Sequence, residues 1–230
     1  MEKKILAAMN GIEVLDSAKE ETKRALAAKG VLHIVRKGHI LFRDKDEVQS
    51  LYIVVSGFVS LYKIDEQGEK KVIFVLGQGK LINEAILQGM TASVSCEVLE
   101  LAKILSFRKA DFLMAMEHDF DLTKAVITSL STKIRRLYRQ MKNTTSSLRG
   151  DKKLAAKLWK LSGDFGKEVS DGSVIGVEIS ITYLADMLGT KRETVSRQLK
   201  VLTGLGLVYL QDNYFMIPSR EKLAQYFKTP

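Results

Sequence analysis

The segment TKRETVSRQLK, residues 190–200, gathers side chains suited to gripping a polar partner. Arg192 and Arg197 each carry a planar fork of donors that matches the O6 and N7 acceptors of guanine in a two-bond grip. Glu193 only accepts, and cytosine N4 is a donor it can meet. Ser196 lies on the same helical side, and Lys191 and Lys200 complete the candidate set. An isolated glutamate would repel phosphate. Its place between two arginines makes sense for a base-edge reader. An ordinary charged surface helix is the plainer alternative.

The elements around this segment must hold it in place. Ala185, Gly189 and Val195 have the spacing of a helix-turn-helix. A small residue lets two helices approach, a glycine supplies the left-handed turn, and a valine plugs the angle. Leu184, Leu188, Leu199 and Leu202 are expected to complete that core. The first helix is expected over 181–188. Upstream, strands are expected near 167–170 and 174–180, joined by Asp171-Gly172. Before them, a helix KKLAAKLWKLSG is expected, with Asp151 as its N-cap and Gly163 as its stop. Downstream, the runs 207–210 and 214–217 flank Gln211-Asp212-Asn213 and read as the hairpin of a wing.

The middle of the chain changes period. From Asp119 to Leu148 the residues Phe120, Thr123, Ile127, Leu130, Ile134, Leu137, Met141, Thr144 and Leu148 step by three and four. Lys133, Arg135, Arg136, Arg139 and Lys142 lie between them. Such a narrow apolar stripe predicts a two-stranded, parallel homodimer seam through Ile127, Leu130, Ile134, Leu137 and Met141. One long helix lying on its own domain is the alternative. The run Asn143–Ser147 predicts a weakening at the helix end, and Arg149–Asp151 a hinge.

Residues 31–107 read as short strands, VLHIV, HILF, LYIVV, FVSLYKI, KVIFVL, SVSCEVLEL and KILSF, punctuated by glycines, with a hairpin turn at 65–69. Residues 16–29 read as a helix. Close-set strands with glycine turns predict a small barrel or sandwich. The net charge of +9 is uneven: +1 over residues 1–118, +4 over 119–148 and +4 over 149–230. A basic second half points to a polyanion partner. No apolar run reaches the length of a membrane span, and the N-terminus lacks the pattern of a secretory signal, so a cytoplasmic protein is expected. The lone Cys96 rules out an internal disulfide and a cysteine cage, and is expected to be a buried apolar residue. His33, His39 and His118 are scattered singles. No Ser–His–Asp set, metal-spaced cluster or phosphate loop is present, so an enzyme is not expected.

Taken together, the chain resembles the CRP/FNR family of dimeric bacterial transcription regulators, most specifically in Arg192-Glu193-Thr194-Val195-Ser196-Arg197. The resemblance implies an α+β architecture. Residues 1–118 would form an N-terminal β-roll (a double-stranded barrel) that senses an effector, 119–149 a long central dimerisation helix and hinge, and 150–230 a C-terminal winged helix-turn-helix domain. It implies a palindromic operator with a TGA-like half-site core, TTGAT-like or TGTGA-like, and double-stranded DNA, a second copy and RNA polymerase as partners, with no membrane. Arg192, Glu193 and Arg197 match the base-contacting positions of the cyclic-AMP receptor branch. Glu193, Ser196 and Arg197 match those of the FNR branch.

The sensor half departs from the cyclic-AMP pattern. The family's phosphate-binding cassette reads Gly-Glu-Leu followed by Arg-Ser or Arg-Thr. This chain has Asn83-Glu84-Ala85, then Met90-Thr91. Methionine offers a phosphate no donor. The positions that contact adenine align with Tyr138 and Arg139. Glu84, Met90, Thr91, Tyr138 and Arg139 are therefore the candidate effector pocket, holding a small organic molecule other than cyclic AMP or no ligand at all. Neither haem nor an iron–sulfur cluster is expected, the cluster because the N-terminal cysteines of the oxygen-sensing branch are missing. A ligand-binding regulatory module without DNA function is the alternative for the whole chain.

Overall fold

A computed structural model describes residues 2–144 and 149–229. The chain divides into two compact units, Met1–Lys63 with Ile73–Thr145 and Ile64–Val72 with Ser146–Pro230.

The first unit opens with three helices, α1 (Glu2–Met9), α2 (Glu13–Asp16) and α3 (Glu20–Lys29). The helix expected over 16–29 starts only at Glu20, because Lys19 is extended and its N–H donates to Asp119 Oδ2 at 2.8 Å. All seven apolar runs form strands: β1 (Val31–Val35), β2 (Ile40–Phe42), β3 (Ser50–Ser56), β4 (Val59–Ile64), β5 (Lys70–Leu76), β6 (Ser95–Val98) and β7 (Ala102–Arg108). They make two sheets, ordered β1-β7-β3 and β2-β6-β4-β5. The turn at 65–69 forms as expected: Asp65 Oδ1 accepts the N–H groups of Gln67 and Glu69.

The core explains why β3 and β7 read as continuous apolar runs rather than alternating ones. Val54 and Ile104 face the roll interior with Phe42, Phe74, Cys96 and Val98. Leu51, Ile53, Leu105 and Phe107 face outward into a second cluster with Leu26, Phe112 and Leu122 from the helices. Both faces of β3 and β7 are largely covered, so neither face selects polar residues there, whereas the edge strand β1 stays mostly exposed. Cys96 is fully buried, and burial pushes its thiol well above the usual range, which makes it a packing residue rather than a nucleophile.

Two helices follow, α4 (Lys109–His118) and α5 (Phe120–Thr144). The sequence reading had no helix at α4. Asp119 separates the two; it is fully buried, and its Oδ1 accepts the Leu122 N–H at 3.1 Å to cap α5. Burial works against the Asp119 charge, but the Lys19 N–H, the Thr22 hydroxyl and the Leu122 N–H outweigh it and hold the carboxyl below its usual range. Of the break expected at 143–147, Asn143 and Thr144 are still helical, and residues 145–147 with the stripe position Leu148 lie outside the described residues.

Besides Ile64–Val72, which carries the turn at 65–69, the second unit holds α6 (Gly150–Phe165), β8 (Gly166–Val169), β9 (Gly172–Ile175), α7 (Ile181–Leu188), α8 (Arg192–Gly204), β10 (Tyr209–Gln211), β11 (Tyr214–Ile217) and α9 (Arg220–Lys228). Asp151 is not the N-cap of α6: Arg149 holds that position without a side-chain cap. Asp151 sits in the first turn, buried, where it accepts the Tyr226 hydroxyl of α9 and pairs with Arg149 at 3.3 Å. Nor does Gly163 stop the helix. A Cβ there would lie 2.8 Å from an Arg220 guanidinium nitrogen, so the glycine clears space for Arg220, which donates to Ser162 Oγ at 3.0 Å and stacks over Trp159. The second strand expected to reach residue 180 ends at Ile175, and the hairpin turn is Ser170-Asp171, with Gly172 opening β9.

Candidate nucleic-acid interface and effector region

α7 starts at Ser180, whose hydroxyl accepts the Tyr183 N–H at 3.0 Å. It ends at Gly189, which is left-handed (φ 62°, ψ 47°), while the Thr190 N–H returns to the Ala185 carbonyl at 3.1 Å. The chain then re-enters α8 at Arg192. Leu184, Ala185, Val195, Leu199 and Leu202 are buried between the two helices as expected. Leu188 is only half-buried, and Met187 takes the inward place instead.

That inward set turns the candidate reading residues out. Lys191, Arg192, Glu193, Arg197 and Lys200 are exposed and Ser196 is half-buried. Glu193 and Arg197 stand one turn apart, the spacing of a helical ion pair, yet no salt bridge links them among the described residues. Lys191 and Arg192 also crowd the positive end of the helix dipole, where cations are unfavourable. A polyanion at that end would relieve the crowding of cations. The hairpin β10–β11 follows, turning through Asp212 and Asn213 with φ of 48° and 67°. Phe215, Met216 and Ile217 anchor it in the unit's core, while Tyr209, Leu210 and Gln211 face out, as a wing requires. The four-stranded sheet behind it has the order β10-β11-β9-β8.

The five candidate pocket residues do not come together in this way. Glu84 opens a short 3-10 helix, Glu84–Gln88, and is buried. Its Oε1 accepts from Ser129 Oγ at 2.7 Å and its Oε2 from Lys133 Nζ at 2.5 Å. Lys133 also donates to the carbonyls of Leu81 and Ile82, at 3.0 and 3.1 Å. Burial lowers the Lys133 pKa, and Glu84 offsets part of that effect. The carboxylate counted among the candidate pocket residues is thus engaged by two side chains of α5. Asn83 stands where the family pattern has glycine. Its φ is −131°, so no glycine is needed, and its side chain bonds the Tyr52 N–H and the Ser50 carbonyl, each at 2.9 Å. Met90, Thr91, Tyr138 and Arg139 are exposed rather than enclosing. Sequence reasoning missed Ser129 and Lys133; the available signal was a lysine one position from the apolar stripe, on a side of α5 that has to meet the roll.

A cleft of about 360 Å³ does open in this unit, between α2, residues 76–81 and α5, and none of the five lines it. On a third face of α5, Phe120 (74% exposed), Ile127 (55%), Ile134 (46%), Leu137 (38%) and Met141 (67%) remain uncovered, with Tyr138 beside them. Leu130 differs from the other stripe residues: it is half-buried against the helical core of its own unit.

Comparison with known proteins matches both halves of the chain. Residues 32–119 fit the cyclic nucleotide-binding domain and residues 152–226 the Crp-like helix-turn-helix domain, together more than half of the chain. An anaerobic regulatory protein of Bacillus subtilis is 25% identical over 182 residues, covering 78% of this chain and 76% of that protein. The fumarate and nitrate reduction regulatory protein of Escherichia coli is 27% identical over 206 residues, covering 83% and 76%. In fold, the chain is similar to FixK2 from Bradyrhizobium japonicum, with a TM-score of 0.75 at 17% identity over 85% of this chain and 96% of that one. A sensor domain of the cyclic-nucleotide type, followed by a Crp-like reader in the same chain, makes this protein a transcription regulator of the CRP/FNR family.

Proposed function

We propose that two copies of this chain pair along α5 and present their α8 helices to successive major grooves of a palindromic operator with a TGA-like half-site core. The observation that carries this reading is the outward face of α8, where Arg192, Glu193, Ser196 and Arg197 stand without ion pairs among the described residues. Arg192 and Arg197 grip guanine edges, Glu193 takes a cytosine amino group, Ser196 completes the contact surface, and Lys191 and Lys200 meet phosphates. The uncovered stripe Ile127, Ile134, Leu137 and Met141 supports the pairing. Leu130 would join that interface only at its edge.

In this proposal residues 1–118 sense, 119–149 pair and hinge, and 150–230 read DNA, in the cytoplasm and in concert with RNA polymerase. Two recognition helices must sit one DNA turn apart, roughly 34–36 Å, to engage both half-sites. An effector other than cyclic AMP would act by favouring the arrangement of α5 helices that gives this separation, and it must bind the two arrangements unequally to do so. The engagement of Glu84 by Ser129 and Lys133, and the methionine at position 90, argue against a cyclic nucleotide phosphate and ribose there.

Selection of bound sequences from a random duplex pool, followed by a gel shift on the recovered site and on a single half-site, tests the reading. A symmetric site bound much more tightly than its half-site is expected. Recovery of no symmetric sequence refutes it.

A further inference from the structure

Gly150 opens α6, and its own backbone gives no reason for a glycine. It is helical and is not among the residues with positive φ. Alanine forms helix more readily than glycine. The reason lies on α8, which packs against α6. A Cβ at position 150 would stand 3.0 Å from Gln198 Cδ and closer still to Gln198 Nε2. Gln198 therefore occupies the space that any other residue at 150 would need.

Neither side of this contact has room to yield. The first turn of α6 is tied to α9: Asp151 accepts the Tyr226 hydroxyl, and Lys152 Nζ donates to the Thr229 carbonyl at 2.6 Å. The end of the Gln198 side chain is enclosed, because its Oε1 is buried, with no hydrogen-bond partner among the described residues. On α8, Gln198 lies three residues after Val195 and four before Leu202, both fully buried, so it flanks the packed face. Arg197, the next residue back, is exposed. A push on Gln198 is thus a push on the helix that carries Arg192, Glu193 and Arg197. Base contacts tolerate little of that, since binding groups work when held to within about 0.5 Å.

We infer that Gln198 is a positioning residue: it seats α8 against the first turn of α6, in the gap left by Gly150, and so sets where the candidate base readers stand. The inference rests on α8 as the reading helix. It adds a residue that touches no base and yet bears on which bases are read.

Four full-length proteins test it: the parent, Gly150→Ala, Gln198→Ala and the double variant. Titrated gel shifts measure affinity for the selected operator and for random duplex, and thermal melts check folding. Gly150→Ala should bind the operator about tenfold more weakly or worse, the scale of coupling between residues in contact. Its affinity for random duplex, set by charge, should hold. Gln198→Ala removes the seat without adding bulk and should also lower the ratio of operator to random affinity. The double variant should match Gln198→Ala, because an alanine at 150 meets nothing once Gln198 is gone. Parent-like operator affinity in a folded Gly150→Ala protein overturns the inference. So does an unchanged ratio in Gln198→Ala, or the same loss from Gly150→Ala with and without Gln198. Arg197→Ala separates this from the reader assignment. If it loses affinity while Gly150→Ala and Gln198→Ala do not, the seat alone falls; if it too keeps the parent's affinity, α8 is not the reader and both fall.

Discussion

Ile127→Lys places a charge in the middle of the apolar stripe of α5. Ile127 is 55% exposed in the single chain, so little of its own unit's packing depends on it. Fully burying an isoleucine side chain contributes about 1.5–3 kcal/mol. Slightly over half of that remains to be gained on pairing, about 1–1.5 kcal/mol per copy and about 2–3 kcal/mol per symmetric dimer. Each 1.4 kcal/mol is tenfold, so the dimer should weaken roughly 30- to 140-fold from lost burial alone. Two lysines meeting across a parallel seam add repulsion to that figure. Sedimentation equilibrium over a range of concentrations measures the dissociation constant, and circular dichroism checks that each chain stays folded. Operator affinity should fall in step, because a single chain engages one half-site. A folded Ile127→Lys protein with the parent's dimer constant would refute the seam and, with it, the account of how two readers reach one operator.

Arg197→Ala should cost about 1–3 kcal/mol on the selected operator and relax discrimination at one base, measured by titrated gel shift against single-base variants; equal loss on random DNA would reduce Arg197 to a phosphate contact. Lys133→Met leaves Glu84 buried with Ser129 alone and should destabilise the chain by about 3 kcal/mol in urea titration, whereas Lys133→Met with Glu84→Leu should recover much of that loss. Asp119 and Asp151 both titrate below the usual 3.8 in the folded chain, so the unfolded chain binds their protons first on acidification. Their stabilisation is therefore complete above the ordinary carboxylate range and is lost as pH falls through 3.8 towards the folded values; urea midpoints from pH 6 to pH 3 should drop at the acid end, and less so in Asp119→Asn. Gly189→Ala forces a Cβ into the left-handed region and should lower stability by about 1 kcal/mol in thermal melts, with operator affinity reduced alongside.

The strands and the helix-turn-helix were legible because their signals are local. Apolar runs, several of them punctuated by glycines, mark all seven strands of the roll, and the spacing of Ala185, Gly189 and Val195 predicts two helices and the turn between them. What escaped has partners far along the chain. α9 has a capping serine at 219 but buries only Leu223 fully, and it is held by Arg220 and Tyr226 reaching α6. α4 buries only Phe112 fully and leaves Leu113 and Met114 exposed, so its apolar residues show no clean helical period. Asp151 has the residue type of a cap, but Tyr226, 75 positions away, decides its use. The same holds for Glu84, whose partners Ser129 and Lys133 lie 45 and 49 positions away. The candidate residues Arg192, Glu193 and Arg197 lie in one contiguous stretch with their packing partners, and the structure leaves them exposed as the spacing predicts. The sensor candidates were transferred by alignment to positions scattered over the roll and α5, and side-chain pairing redistributed them.

One carboxylate ties two helix beginnings together. Asp119 receives the Leu122 N–H with one oxygen and the Lys19 N–H with the other, so the origin of α5 and the approach to α3 share a single anchor. α5 cannot tilt about its base without either dragging the amino-terminal segment or giving up one of these bonds. Rotation of that helix is therefore resisted at its root, where reorientation has to break this anchor or carry the amino-terminal segment along.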